Sequence, residues 1–240
     1  KAIRRQRQMC IRDSNYHKQM VGSGSAWSTS DGQQMLWDAE RTPVTMIAYA
    51  PFMSEATPDA SLTVNALTNQ STEENVKSSD FLLMKATVDP EQDLTADGKL
   101  KISLNHAMSK LIIKITVNGT TDASMSKLGD MAINGAVVNA TCDLSAAAPV
   151  VVPAADAVVA TVAPYKGTES CECILPPQKI AEGFSVNFSY DGKLYIWTAK
   201  EAIELEEGVE HTLTLNVNTT VRLAAKMARN WATGQLIDRN

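Results

Sequence analysis

FSVNFSYDGKLYIWTA, residues 184–199, is the stretch on which the fold turns. Asp191-Gly192 is the preferred dipeptide of a two-residue type I′ hairpin, because both central positions need positive φ. With the turn placed there, Phe188 faces Tyr195 and Val186 faces Trp197, giving an aromatic and β-branched ladder along one side of two antiparallel strands. The same period of two recurs outward in both directions. HTLTLNVN (211–218) alternates with Leu213, Leu215 and Val217 on one face. In SKLIIKITVNG (109–119), Leu111, Ile113, Ile115 and Val117 point one way while Lys110, Lys114 and Thr116 point the other.

Further upstream, Ile102, Leu104 and Met108 occupy even positions, so the parity changes within NHAMS (105–109). A β-bulge or a break between strands accounts for such a change. VTMIAYAPF (44–52) is almost wholly apolar and bounded by Arg41-Thr42-Pro43 and Pro51, as a buried strand is. Helical character is weak everywhere; Asp38–Arg41 and the Ala-rich 222–232 show a trace of it, and neither carries good caps.

Composition agrees with an all-β chain. Aromatic residues make up 5% of the 240, and nine prolines and twelve glycines punctuate short apolar runs. No run reaches the roughly 18 apolar residues of a membrane helix, so no transmembrane segment is expected. The polar, turn-forming ATVDPEQDLTADGKL (86–100) reads as a boundary. It divides the chain into an N-terminal sandwich at 15–95, short enough to be incomplete, and a C-terminal sandwich at 96–240 that includes a terminal strand segment at 219–240.

Residues 1–14 stand apart. Back-translated, Arg4–Asp13 resembles, codon for codon, the transposase adapter used in preparing short-read DNA libraries, and we read 1–14 as a translated library scar. Excluding it deepens the net charge of -5, because Lys1, Arg4, Arg5, Arg7 and Arg12 outweigh Asp13. So acidic a chain is a poor match for nucleic acid, whose phosphates need a basic patch. With the natural beginning replaced, the lack of a signal peptide carries no information.

Sites for chemistry are sparse. His17, His106 and His211 stand in no metal or nucleophile spacing, and there is no G-x-S-x-G, P-loop or G-x-G-x-x-G. His106 is expected to pack at the strand break. Glu73-Glu74 and Glu206-Glu207 are sequence neighbours on polar stretches and read as solvated surface, not as a glycosidase dyad. No enzyme, cofactor or metal is expected. Cys171 and Cys173 share a strand face and are expected to be buried free thiols, the alternative being a disulfide from Cys142 to one of them.

Four blocks, in order, carry a family resemblance: W…MLWDAERTPVTMIAYAP (27–51), NQSTEENVKSSDFLLMKATV (69–88), LNHAMSKLIIKITV (104–117), and ILPPQ (174–178) before the Asp-Gly hairpin. LEEGVEHTLTLNVN (205–218) and RNWATG (229–234) close the set. The chain resembles the fimbrillin proteins of Bacteroidota, the Mfa-like or FimA-like pilins. The resemblance implies two transthyretin-like β-sandwiches in tandem, the first truncated at its N-terminus. It also implies export as an outer-membrane lipoprotein and assembly with other fimbrial subunits at the cell surface. In polymerising members a protease removes an N-terminal strand, and a strand of the next subunit, usually its C-terminal tail, fills the groove.

The tail here offers such a strand. Val221, Leu223, Ala225 and Met227 alternate with Arg222, Ala224 and Lys226, and Trp231 follows. Alternation alone does not separate a donor strand from a last strand pairing within its own domain. A rival reading is an adhesin module for a host or glycan receptor, with Trp27, Trp37 and Trp231 as stacking candidates.

If residues 1–14 are a scar, deleting them leaves the thermal melt unchanged within error. A drop of several degrees would refute the reading.

Overall fold

The computed structural model describes residues 20–23, 26–29, 37, 40–53, 61–119, 121–217 and 223–230. In chain order, β1 (Met20–Ser23), β2 (Ala26–Thr29), β3 (Val44–Ala50) and β4 (Ser61–Asn65) lead to helix α1 (Glu73–Ser79). Next come β5 (Leu82–Val88), β6 (Asn105–His106), β7 (Ser109–Val117) and β8 (Thr121–Asp122). A 3-10 turn precedes β9 (Leu128–Val137), β10 (Asn139–Asp143), β11 (Val151–Pro153), β12 (Val159–Val162), β13 (Tyr165–Lys166) and β14 (Cys171–Leu175). The rest are β15 (Gln178–Ile180), β16 (Ser185–Tyr190), β17 (Lys193–Thr198), β18 (Ile203–Leu205), β19 (Val209–Asn216) and β20 (Leu223–Asn230). The fold is all-β, as expected.

The deciding hairpin forms as expected. Asp191 and Gly192 have φ of 51° and 75°, Phe188 pairs with Tyr195, and Val186 pairs with Trp197. The Phe188 and Tyr195 rings stack with centroids 5.3 Å apart, and Trp197 meets Phe184 edge-on at 6.2 Å. β16 also pairs with β9, completing a four-stranded sheet in the order β12-β9-β16-β17. The larger sheet runs β13-β14-β7-β19-β20, with β8 also on β7. Smaller sheets are β11-β10-β4, β3-β5-β6, β15-β18 and β1-β2.

Inner rows from these sheets meet in one hydrophobic cluster. It takes Leu111, Ile113 and Ile115 from β7, Leu213 and Leu215 from β19, Ile133 from β9, Val186 and Phe188 from β16, and Leu62 and Val64 from β4. Strand pairing crosses the boundary expected at residue 95: β4 pairs with β10 and β5 with β6. Two side chains reinforce the crossing. The Lys85 ammonium donates to the carbonyls of Leu144 and Ala146, each at 2.7 Å. Gln70 is fully buried, and its amide donates to the Ile174 carbonyl and accepts from the Ile174 N–H, both at 2.8 Å. That amide thus stands in for a strand neighbour of β14.

Four sequence expectations meet the structure. The parity change in NHAMS is a break and not a bulge: β6 belongs to the β3-β5-β6 sheet and β7 to the large one. VTMIAYA forms β3, but as a half-buried edge strand, since it pairs with β5 alone. The Ala-rich tail is strand β20 over Leu223–Asn230, not helix, because pairing with β19 outweighs alanine's helical preference. Helix α1 arises where none was expected, its signal being Thr72, whose hydroxyl accepts from the Asn75 N–H at 3.2 Å. Glu73 and Glu74 in the first turn and Lys77 in the last complement the helix dipole.

Cys142, Cys171 and Cys173 are buried free thiols. Burial pushes Cys142 up to about 11, with the negative charges of Glu207 and Asp143 adding to it. Burial likewise pushes Cys171 up to about 11 against the pull of Lys166, and it raises Cys173 as well. Neutral, enclosed thiols react slowly.

Two outcomes follow. In a Cys10→Ser variant, Ellman's reagent at pH 8 finds no reactive thiol in the folded protein and three after denaturation; rapid native labelling would contradict the burial. Gln70→Leu keeps the volume but strips Ile174 of both partners, at about 1–3 kcal/mol for each orphaned group, and urea denaturation measures the loss.

Candidate functional site

The described tail residues singled out from the sequence lie at one edge of the large sheet, beside β19. The sequence VEHTLTLN puts every second residue inward, and Val209, His211, Leu213 and Leu215 are all buried. On one side, β19 runs parallel to β7, with His211, Leu213 and Leu215 level with Leu111, Ile113 and Ile115. His211 is held within this row by the Glu206 N–H, which donates to its Nε2 at 3.0 Å.

On the other side lies β20, antiparallel and last in the sheet. Of the tail residues singled out from the sequence, Leu223, Ala225 and Met227 fall within β20, while Val221 and Trp231 lie outside the described residues. The register shifts once: Leu223 stands opposite Leu215, yet Lys226 stands opposite Leu213 and Met227 opposite Thr212. β20 therefore carries one more residue than β19 across this span, a bulge of the kind common at sheet edges.

The other candidates separate. His106 sits in β6 just before the strand break, and its Nδ1 lies 2.8 Å from the Asp80 carboxylate. Asp80 caps the C-terminus of α1, so the pair ties helix to sheet, a partnership that sequence separation concealed. Glu73 and Glu74 are exposed on α1, and the Tyr165 hydroxyl donates to Glu73 at 3.2 Å. Trp37 donates from its indole nitrogen to the Thr42 carbonyl at 2.7 Å. Trp27 lies in β2, while His17 and Cys10 are outside the described residues. Among the described residues no group of three or more His, Cys, Asp and Glu side chains could hold a metal ion. Nor is any described helix long and apolar enough to cross a membrane.

Comparison with known proteins places this architecture. A candidate cell adhesion protein from Bacteroides uniformis superimposes with a TM-score of 0.70 at 17% identity, covering 91% of this chain and 86% of that one. A second from Bacteroides ovatus gives 0.59 at 16% identity, over 92% of this chain and 75% of that one. At these identities the likeness is one of fold. A fimbrial protein from Bacteroides ovatus gives 0.50 at 17% identity, and this chain spans 39% of it. No curated protein matches. The family model described as fimbrillin-like matches residues 5–230, opening inside the run read as adapter-derived. With so much of its length matched, this chain belongs to the fimbrillin-like family.

Proposed function

We propose that this chain is a structural subunit of a cell-surface fimbria, joined to neighbouring subunits by pairing of β-strands. The fimbrillin-like family match supports the fimbrial role. So do the similar folds described as cell adhesion and fimbrial proteins. One observation carries the mechanism: the buried row of β19 is closed on its outer side by the chain's own last described strand. Withdrawing β20 exposes a row of unpaired N–H and C=O groups backed by an apolar groove, and an equivalent strand from another copy restores both. The segment 219–240 is then an exchangeable element, with Val221, Leu223, Ala225, Met227 and Trp231 as its contact residues.

The role needs partner subunits, and in this reading the protein sits at the cell surface, exported and anchored as a lipoprotein. It requires no catalysis. The Asp80–His106 contact is structural in this account, Glu73 and Glu74 are surface, and Glu206 is half-buried beside His211.

A double substitution tests the tail. Each buried Val, Leu or Met side chain contributes about 1.5–3 kcal/mol before ordering costs are subtracted. Leu223→Asp with Met227→Asp is expected to abolish filaments in electron microscopy and sedimentation while leaving a cooperative monomer melt. A variant that still polymerises would remove the tail from the mechanism. Loss of the folded monomer would show that its own chain cannot spare β20, which then stays an internal strand and is not exchanged.

A further inference from the structure

A polar hollow of about 340 Å³ lies on the sheet β11-β10-β4, lined by Thr63, Asn65, Asn139, Thr141, Ala154 and Asp156 among others. We propose that it is a binding site for a neutral saccharide unit. Its floor is two cross-strand pairs in register, Thr63 with Thr141 and Asn65 with Asn139. The Asn139 side-chain amide donates to the Asn65 Oδ1 at 3.2 Å. That bond fixes both side chains and leaves the Asn65 amide as donor and the Asn139 Oδ1 as acceptor, beside two hydroxyls. The third wall is the loop after β11. The Ala154 N–H donates to the Asn139 carbonyl at 3.1 Å, and the Ala157 N–H closes a turn on the Ala154 carbonyl at 3.0 Å. This turn sets the exposed Asp156 carboxylate at the rim.

The chemistry selects the ligand. Adjacent sugar hydroxyls each donate and accept, and here an acceptor carboxylate, an amide donor, an amide acceptor and two hydroxyls converge on one ring-sized space. Val152, directly opposite Thr141 in the register and 47% exposed, extends the Thr63–Thr141 row with an apolar surface for the C–H face of a sugar. A single carboxylate does not make a cation site. With Asp156 at the rim and a net charge of -5, sugar acids are repelled. The rigid elements are strands, so the site exists before the ligand arrives. No lining residue is aromatic, so one site binds weakly, and repetition along a fibre supplies the avidity.

The hollow lies within one chain, so monomer binding tests it separately from assembly. The 15N-labelled full chain is titrated with the methyl glycosides of glucose, galactose, mannose and N-acetylglucosamine, with glucuronate as the acidic control. Saturable shifts confined to residues 63–65, 139–141 and 154–156 are expected for at least one neutral glycoside. Asp156→Ala and Asn139→Ala are each expected to weaken that binding ten-fold or more without changing the melt. Should Asn139→Ala disturb its strand, the loop variant Asp156→Ala decides. Absence of saturable shifts at these amides, binding of glucuronate alone, or undiminished binding by the Asp156 variant would overturn the proposal.

Discussion

The parallel pairing of β7 with β19 is the constraint from which the rest of the molecule follows. Both strands are inner strands of the large sheet, and their buried residues stand level, His211 with Leu111, Leu213 with Ile113, Leu215 with Ile115. Parallel neighbours cannot be joined by a tight turn; the chain must leave, cross over and return. Residues 118–208 make that crossing. They use it to build the four-stranded sheet and β14, so the crossover supplies the opposing face of the core.

How the earlier part of the chain joins that core depends on polar groups. Gln70 and Lys85 each reach backbone atoms beyond residue 140, and each is a polar side chain spent inside or against an apolar cluster. The buried amide is acceptable because the backbone C=O and N–H of Ile174 satisfy its donor and its acceptor together. Hydrophobic burial brings β4, α1 and β5 near the large sheet; these bonds fix their register.

The elements legible in the sequence were those whose information is local. The hairpin, the β7 alternation and the β19 alternation each follow from a turn dipeptide or a period of two, and all stand in the structure. What escaped was non-local or small. The pairing of β4 with β10 joins segments whose separation no pattern records. Helix α1 is only seven residues long, and its Thr72 cap was submerged in a polar run read as surface. The tail's alternation announced a strand, but the bulge against β19 depends on the partner's register and leaves no mark in the tail itself. The polar hollow was equally hidden, because Asn65, Asn139 and Asp156 meet only through the β4–β10 pairing and the loop after β11.

The distance along the chain between β7 and β19 also sets the order of events when the protein is made. β7 meets β8 and β14 earlier, but its parallel partner β19 only once residue 216 is available, and Gln70 waits for residue 174 in the same way. Contacts of such long range place the fold among the slow formers, on the scale of milliseconds to seconds. A growing chain therefore lacks a complete core until residue 216 has emerged. Until then the large sheet stands open along one side of β7, and β19 is the strand that closes it.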